Sequence, residues 1–127
     1  MKIVALIARI LLGLIFLVFG MNGFLHFIPM GQMPSGTAGQ FLGALFQSHY
    51  LYVVSALQVA GGVLLLVNRY VPLGLVLLGP VIVNILLYHV LMDRSGLPLA
   101  IVVVILWAIV ALRQRQYLSG IFVKRSN

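Results

Sequence analysis

The chain contains no cysteine and only one acidic residue, Asp93. Without cysteine there is no disulfide, no thiolate nucleophile and no iron–sulfur ligand set, and cysteine usage says nothing about redox compartment. Asp93 is the only carboxylate side chain, so its position carries weight. Charge is scarce altogether, at 7% of 127 residues, while 63% are hydrophobic and the mean hydropathy is +1.20. Soluble domains do not reach those values, so the composition places the chain in the membrane.

A spanning helix needs about 20 mostly apolar residues, and four such runs are present, over residues 3–28, 50–67, 71–92 and 97–116. The last extends through Gln116 with Arg113 and Arg115 reaching back to the headgroups. The first run is far longer than a signal-peptide core and is expected to stay as a span. Short links leave room for one domain over residues 1–127, an all-α integral membrane four-helix bundle.

The formal charge of +7 does not mark a nucleic-acid binder, because the basic residues sit at span ends and not on an aromatic-interleaved patch. Lys2, Arg69, Arg113, Arg115, Lys124 and Arg125 fall on the side holding both termini, and the opposite side offers only Arg94 beside Asp93. The positive-inside rule therefore predicts cytoplasmic N- and C-termini in a bacterial inner membrane. Arg9, two turns into the first span, is expected to snorkel to the near headgroups.

Polar residues inside the spans are few, and their spacing is informative. Asn22 and His26, four apart, share one face of the first span. Gly13, Gly20 and Gly23 form a separate seam where a neighbouring backbone can approach. Ser55, Gln58, Gly61 and Gly62 make a small and polar stripe on the second span, and Gln58 is expected to reach Asn22 or Asn84. On the third span Pro80 introduces a bend, Asn84 and Tyr88 share a face, and His89 with Asp93 forms an imidazole–carboxylate pair at i, i+4. Thr37-Ala38-Gly39-Gln40 matches a capping box and predicts a short interfacial helix in the first extracytoplasmic loop, with Phe41, Leu42, Leu45 and Phe46 on its apolar face.

Counted from the span ends at about 1.5 Å per residue, Asn22, Gln58 and Asn84 all lie roughly 9–13 Å below the extracytoplasmic surface. His26, His49, Tyr88, His89 and Asp93 lie above them. This depth pattern predicts a polar pocket on the extracytoplasmic side, with Asn22, His26, Gln58, Asn84, Tyr88, His89 and Asp93 as the ligand-binding set. The competing reading is that the amides only bond helix to helix. No metal site is assigned, since His49 lies opposite Gln58 on its helix. A proton-coupled transporter ranks lower still, because no carboxylate lies deep in the membrane.

The Gly-x-Asn-Gly-Phe-Leu-His-Phe segment at Gly20–Phe27, Gln58-Val-Ala-Gly-Gly62, and Asn84 to His89 on the third of four short spans resemble the DoxX family of small bacterial membrane proteins. That family is named for a small subunit associated with quinone-reducing thiosulfate oxidation, and other members are linked to oxidative-stress assemblies. The resemblance implies an inner-membrane accessory protein with a quinone or redox connection, and it transfers no catalytic residue. Two functions follow: an accessory that binds a quinone or similar amphipathic molecule in the pocket, or a structural subunit of a larger membrane complex. No self-sufficient catalytic motif is present, so enzymatic activity is expected only as an accessory subunit of an oxidoreductase. The expected partners are the lipid bilayer, a redox-complex protein or a second copy of the chain, and no nucleic acid.

Overall fold

The computed structural model describes residues 2–25 and 34–122, and these are helical, with no strand among them. The elements are α1 (Lys2–Leu25), α2 (Gly36–Gln47), α3 (Tyr50–Val67), α4 (Val71–Leu91), a single 3₁₀ turn at Arg94–Gly96, α5 (Leu97–Arg113), α6 (Arg115–Leu118) and a second 3₁₀ turn at Ser119–Phe122. Four helices, α1, α3, α4 and the Arg94–Arg113 stretch that contains α5, are long and apolar enough to cross a membrane. At about 1.5 Å per residue they extend roughly 25–36 Å, which matches a hydrocarbon layer of about 30 Å.

Helix α3 lies between α1 and α4, and α5 closes the other side by touching both. Glycines set the distance of closest approach. A Cβ at Gly62 would meet Gly13 O and Leu17 N of α1 at 2.8 Å, and one at Gly20 would meet Val59 N at 3.0 Å. Gly23 gives its space to Ser55 Oγ, in a pocket where Ser55 is 1% exposed. The Gly13, Gly20 and Gly23 seam is thus where α3 packs, as its spacing predicts. The adjacent pair Gly61–Gly62 divides its work, because successive helical residues point about 100° apart. Gly62 faces α1, whereas Gly61 faces Leu78 of α4, and a Cβ added at Gly74 of α4 would lie 3.2 Å from Gly61 O.

Leu12 and Phe16 of α1, Leu65 of α3, Leu75 and Leu78 of α4, and Val103 and Val110 of α5 fill the centre. Pro80 does not break α4, which runs as one helix and carries the proline on its exposed side. Near it, Trp107 Nε1 donates to Leu75 O at 3.0 Å, which ties α5 to α4.

Helix ends differ from expectation in two places. α2 begins at Gly36 with Ser35 as N-cap and no side-chain cap, so Thr37 lies inside the helix and the capping box does not form. Gly36 opens that turn at φ +70, a conformation glycine adopts without strain. The fourth span stops at Arg113 and does not run through Gln116. Gln114 breaks the helix, and its carbonyl accepts from Tyr117 and Leu118 to start α6. The expected end of the first span at residue 28, together with Lys124 and Arg125, lies outside the described residues.

Candidate functional site

Asn22 is 6% exposed and sits on α1 two residues beyond Gly20. Two residues of helix rotate the chain by about 200°, so Asn22 points some 160° away from the seam that meets α3. Gln58 is on the other side of that seam, since a Cβ at Gly20 would touch Gln58 Cβ at 3.0 Å. Gln58 is half-buried and makes no side-chain hydrogen bond among the described residues. The expected link from Gln58 to Asn22 or Asn84 is therefore not made. His26, the fourth member of the expected floor and mouth, lies outside the described residues.

Asn84 departs furthest from expectation. It is exposed, about 120° around α4 from the fully buried Leu78, and its Nδ2 donates to Pro80 O one turn earlier at 2.9 Å. It faces out of the helix assembly and not toward its axis.

Tyr88 and His89 do meet, edge to face, with ring centroids 5.0 Å apart. The Tyr88 ring also lies beside Phe41 of α2, with centroids 5.7 Å apart, while α2 packs mainly against α3. His89 Nδ1 lies 2.8 Å from Ile85 O. A carbonyl only accepts, so Nδ1 carries a proton and donates it to Ile85 O. The Nε2 edge of the imidazole rests against the Cα of Gly96, where a Cβ would not fit.

The His89–Asp93 pair does not form a direct bond. α4 ends at Leu91, and Asp93 is extended at φ −149 and ψ 102, so the i, i+4 spacing no longer places the two on one face. Asp93 Oδ1 instead accepts from Ser95 Oγ at 2.7 Å and Ser95 N at 3.1 Å, capping the 3₁₀ turn. Those bonds hold the carboxyl below its ordinary value, with a smaller contribution from the nearby His89.

Two features were not anticipated. Phe24, Tyr52 and His49 stack in a ladder, Phe24 on Tyr52 at 5.6 Å and His49 on Tyr52 at 5.7 Å, with planes within 7° of parallel. The His49/Tyr52 step could have been found from its i, i+3 spacing, whereas Phe24 is on another helix. At the opposite end Arg9 Nη1 donates to Leu65 O. Arg9 thus reaches the end of a neighbouring helix, a partner that its position in the sequence did not indicate.

Open concavities lie on α2 between Pro34 and Gln47 and at Arg113–Tyr117. Neither includes Asn22, Gln58 or Asn84. No group of three or more potential metal-ligating side chains occurs among the described residues. The chain matches no protein-family model, and no curated protein or solved structure shows significant similarity to it.

Proposed function

We propose that this chain is a DoxX-like accessory subunit of a bacterial inner-membrane assembly with a redox role, acting through helix-to-helix contacts and not through chemistry of its own. One observation carries the reading. Asn22, Gln58 and Asn84 do not point in one direction, and Asn84, His89 and Asp93 take partners within their own helix or turn. Amides dispersed in this way do not form one ligand cradle, and polar groups of this kind serve contacts between helices.

In this reading the four apolar helices form one transmembrane bundle with both termini cytoplasmic and α2 lying in the outer interface. Lys2, Arg69, Arg113 and Arg115 at span ends support that orientation by the positive-inside rule. Because the chain has no cysteine, single-cysteine variants report topology without background. An impermeant maleimide should label Ser95→Cys in intact cells and label Arg115→Cys only after permeabilisation.

The functional test is native mass spectrometry of the full chain extracted gently from its own membranes. A defined protein adduct supports the accessory reading. A monomer that retains a quinone supports the second reading, which rests on Gln58, an amide left free to donate to a quinone carbonyl. In that case Gln58→Leu should abolish retention. A monomer with only bulk lipid counts against both.

A further inference from the structure

Asn84 stands on α4 in a row that repeats every seven residues. Leu77, Asn84 and Leu91 occupy one position of that repeat, and Leu73, Pro80 and Leu87 the other. The alternating steps of four and three are the spacing of a coiled-coil seam. None of the six is buried: Leu73 is 50% exposed, Leu87 48% and Leu91 71%, and Asn84 and Pro80 are exposed as well. The inward face of α4, at Leu75, Leu78 and Ile82, is a separate row already used against α3 and α5. α4 thus carries a second packing face that nothing among the described residues covers.

An apolar face on a membrane helix needs only lipid, but this one has an amide in its middle. Asn84 is seven residues from the end of α4, about 10 Å below that end and within the hydrocarbon. Its Nδ2 uses one hydrogen on Pro80 O, which holds the amide in place. The second amide hydrogen and Oδ1 have no partner among the described residues, and hydrocarbon supplies none.

We propose that this face is the contact between two copies of the chain, related by a twofold axis along the membrane normal. The occupant follows from complementarity. Under such an axis α4 meets α4 in parallel, every residue meets its equivalent at the same depth, and Asn84 meets Asn84. Each amide then donates its free hydrogen to the other's Oδ1, so a single residue satisfies both of its open groups. A polar residue at one position of an apolar heptad also fixes register. The inference rests on the accessory-subunit reading and names one contact through which such a subunit is built into an assembly.

The test is disulfide cross-linking of the full chain in native membranes, which the absence of cysteine makes clean. Leu77→Cys and Leu87→Cys, on the seam, should form covalent dimers on mild oxidation, while Val102→Cys, 46% exposed on α5, should not. Adding Asn84→Leu to Leu77→Cys should lower the dimer yield about fivefold or more, and Asn84→Gln should restore it. Equal cross-linking at 77 and 102, or a yield indifferent to Asn84→Leu, would overturn the proposal. Adducts of Leu77→Cys to a different protein would overturn the second copy as occupant and leave the accessory reading standing. No adduct of any kind would count against both.

Discussion

Arg9, on the second turn of α1, donates through Nη1 to the carbonyl of Leu65 on the last turn of α3. That carbonyl lies among the four that an α-helix leaves without standard partners. The chain turns at once through Asn68, which is left-handed at φ 56, and Arg69 N bonds back to Leu64 O in a Schellman arrangement. Leu65 O also accepts from Asn68 N at 3.4 Å, so the guanidinium adds a second, charged donor to a weakly bonded carbonyl and meets the negative end of the helix dipole. A cation inside a span is therefore a helix cap that fastens α1 to α3.

Replacing Arg9 with Met keeps the apolar stem and removes the cap. We expect a loss of about 1–3 kcal/mol, the range for a hydrogen bond to a charged donor. Arg9→Lys should recover part of it. Thermal unfolding of the purified protein in one detergent, followed by circular dichroism, reads both changes. An unaltered midpoint in Arg9→Met would show that the cap carries no stability.

The α1–α3 contact gives a second expectation. At Gly62 an added methyl meets backbone, Gly13 O and Leu17 N at 2.8 Å, and backbone cannot rotate away as a side chain can. Gly62→Ala should cost about 1–3 kcal/mol through overpacking. Gly43, inside α2, has nothing within 4 Å of the same position, so Gly43→Ala should be neutral or gain up to about 1 kcal/mol of helix propensity. Opposite shifts of the two melting points check the pair.

Much of this arrangement could be read in advance because it depends on quantities a helix conserves. The run lengths of apolar residues give spans, and the phase of Gly13, Gly20 and Gly23 gives a face. Depth is also legible, since it only counts residues from a helix end. Azimuth is not, because how far each helix is rotated about its own axis depends on which neighbours its small residues admit. Counting residues groups Asn22, Gln58 and Asn84 at a similar distance from their helix ends, but it does not say that they converge, and Asn84 faces outward. The His89–Asp93 pair failed differently. The i, i+4 rule holds only while both residues are helical, and α4 stops before Asp93. Arg9 was legible as an anchor but not as a cap, since its acceptor is a carbonyl distant in sequence.

Asp93 predicts a pH dependence of fixed sign. Its carboxyl is held below the usual 3.8, first by Ser95 Oγ, then by Ser95 N, with His89 adding a smaller attraction. A depressed folded value means that the ionised cap favours the folded turn at all pH above the unfolded value. The contribution is lost as pH falls through the folded value. Ser95→Ala removes the larger bond and should move the Asp93 titration upward, toward 3.8, as read by carboxyl carbon chemical shifts. His89→Asn should move it in the same direction by less. A larger shift from His89→Asn than from Ser95→Ala would show that the imidazole, and not the turn, governs this carboxylate.

The same turn positions His89, and Gly96 is what makes room for it. The backbone of Gly96 is ordinary, at φ −96, so alanine there suffers no conformational penalty of its own. The obstacle is steric, because the new methyl would overlap His89 Nε2 and come within 2.6 Å of its Cδ2. The ring must then rotate, which breaks the Nδ1–H bond to Ile85 O and disturbs the edge contact with Tyr88. We expect Gly96→Ala to destabilise by about 1–3 kcal/mol and to change the imidazole nitrogen shifts that report a proton fixed on Nδ1. The double variant Gly96→Ala with His89→Ala has no ring to strike, so its cost should fall short of the sum of the single changes by at least about 0.5 kcal/mol. Strict additivity would mean that Gly96 is present for the chain turn itself and that the position of His89 is set elsewhere.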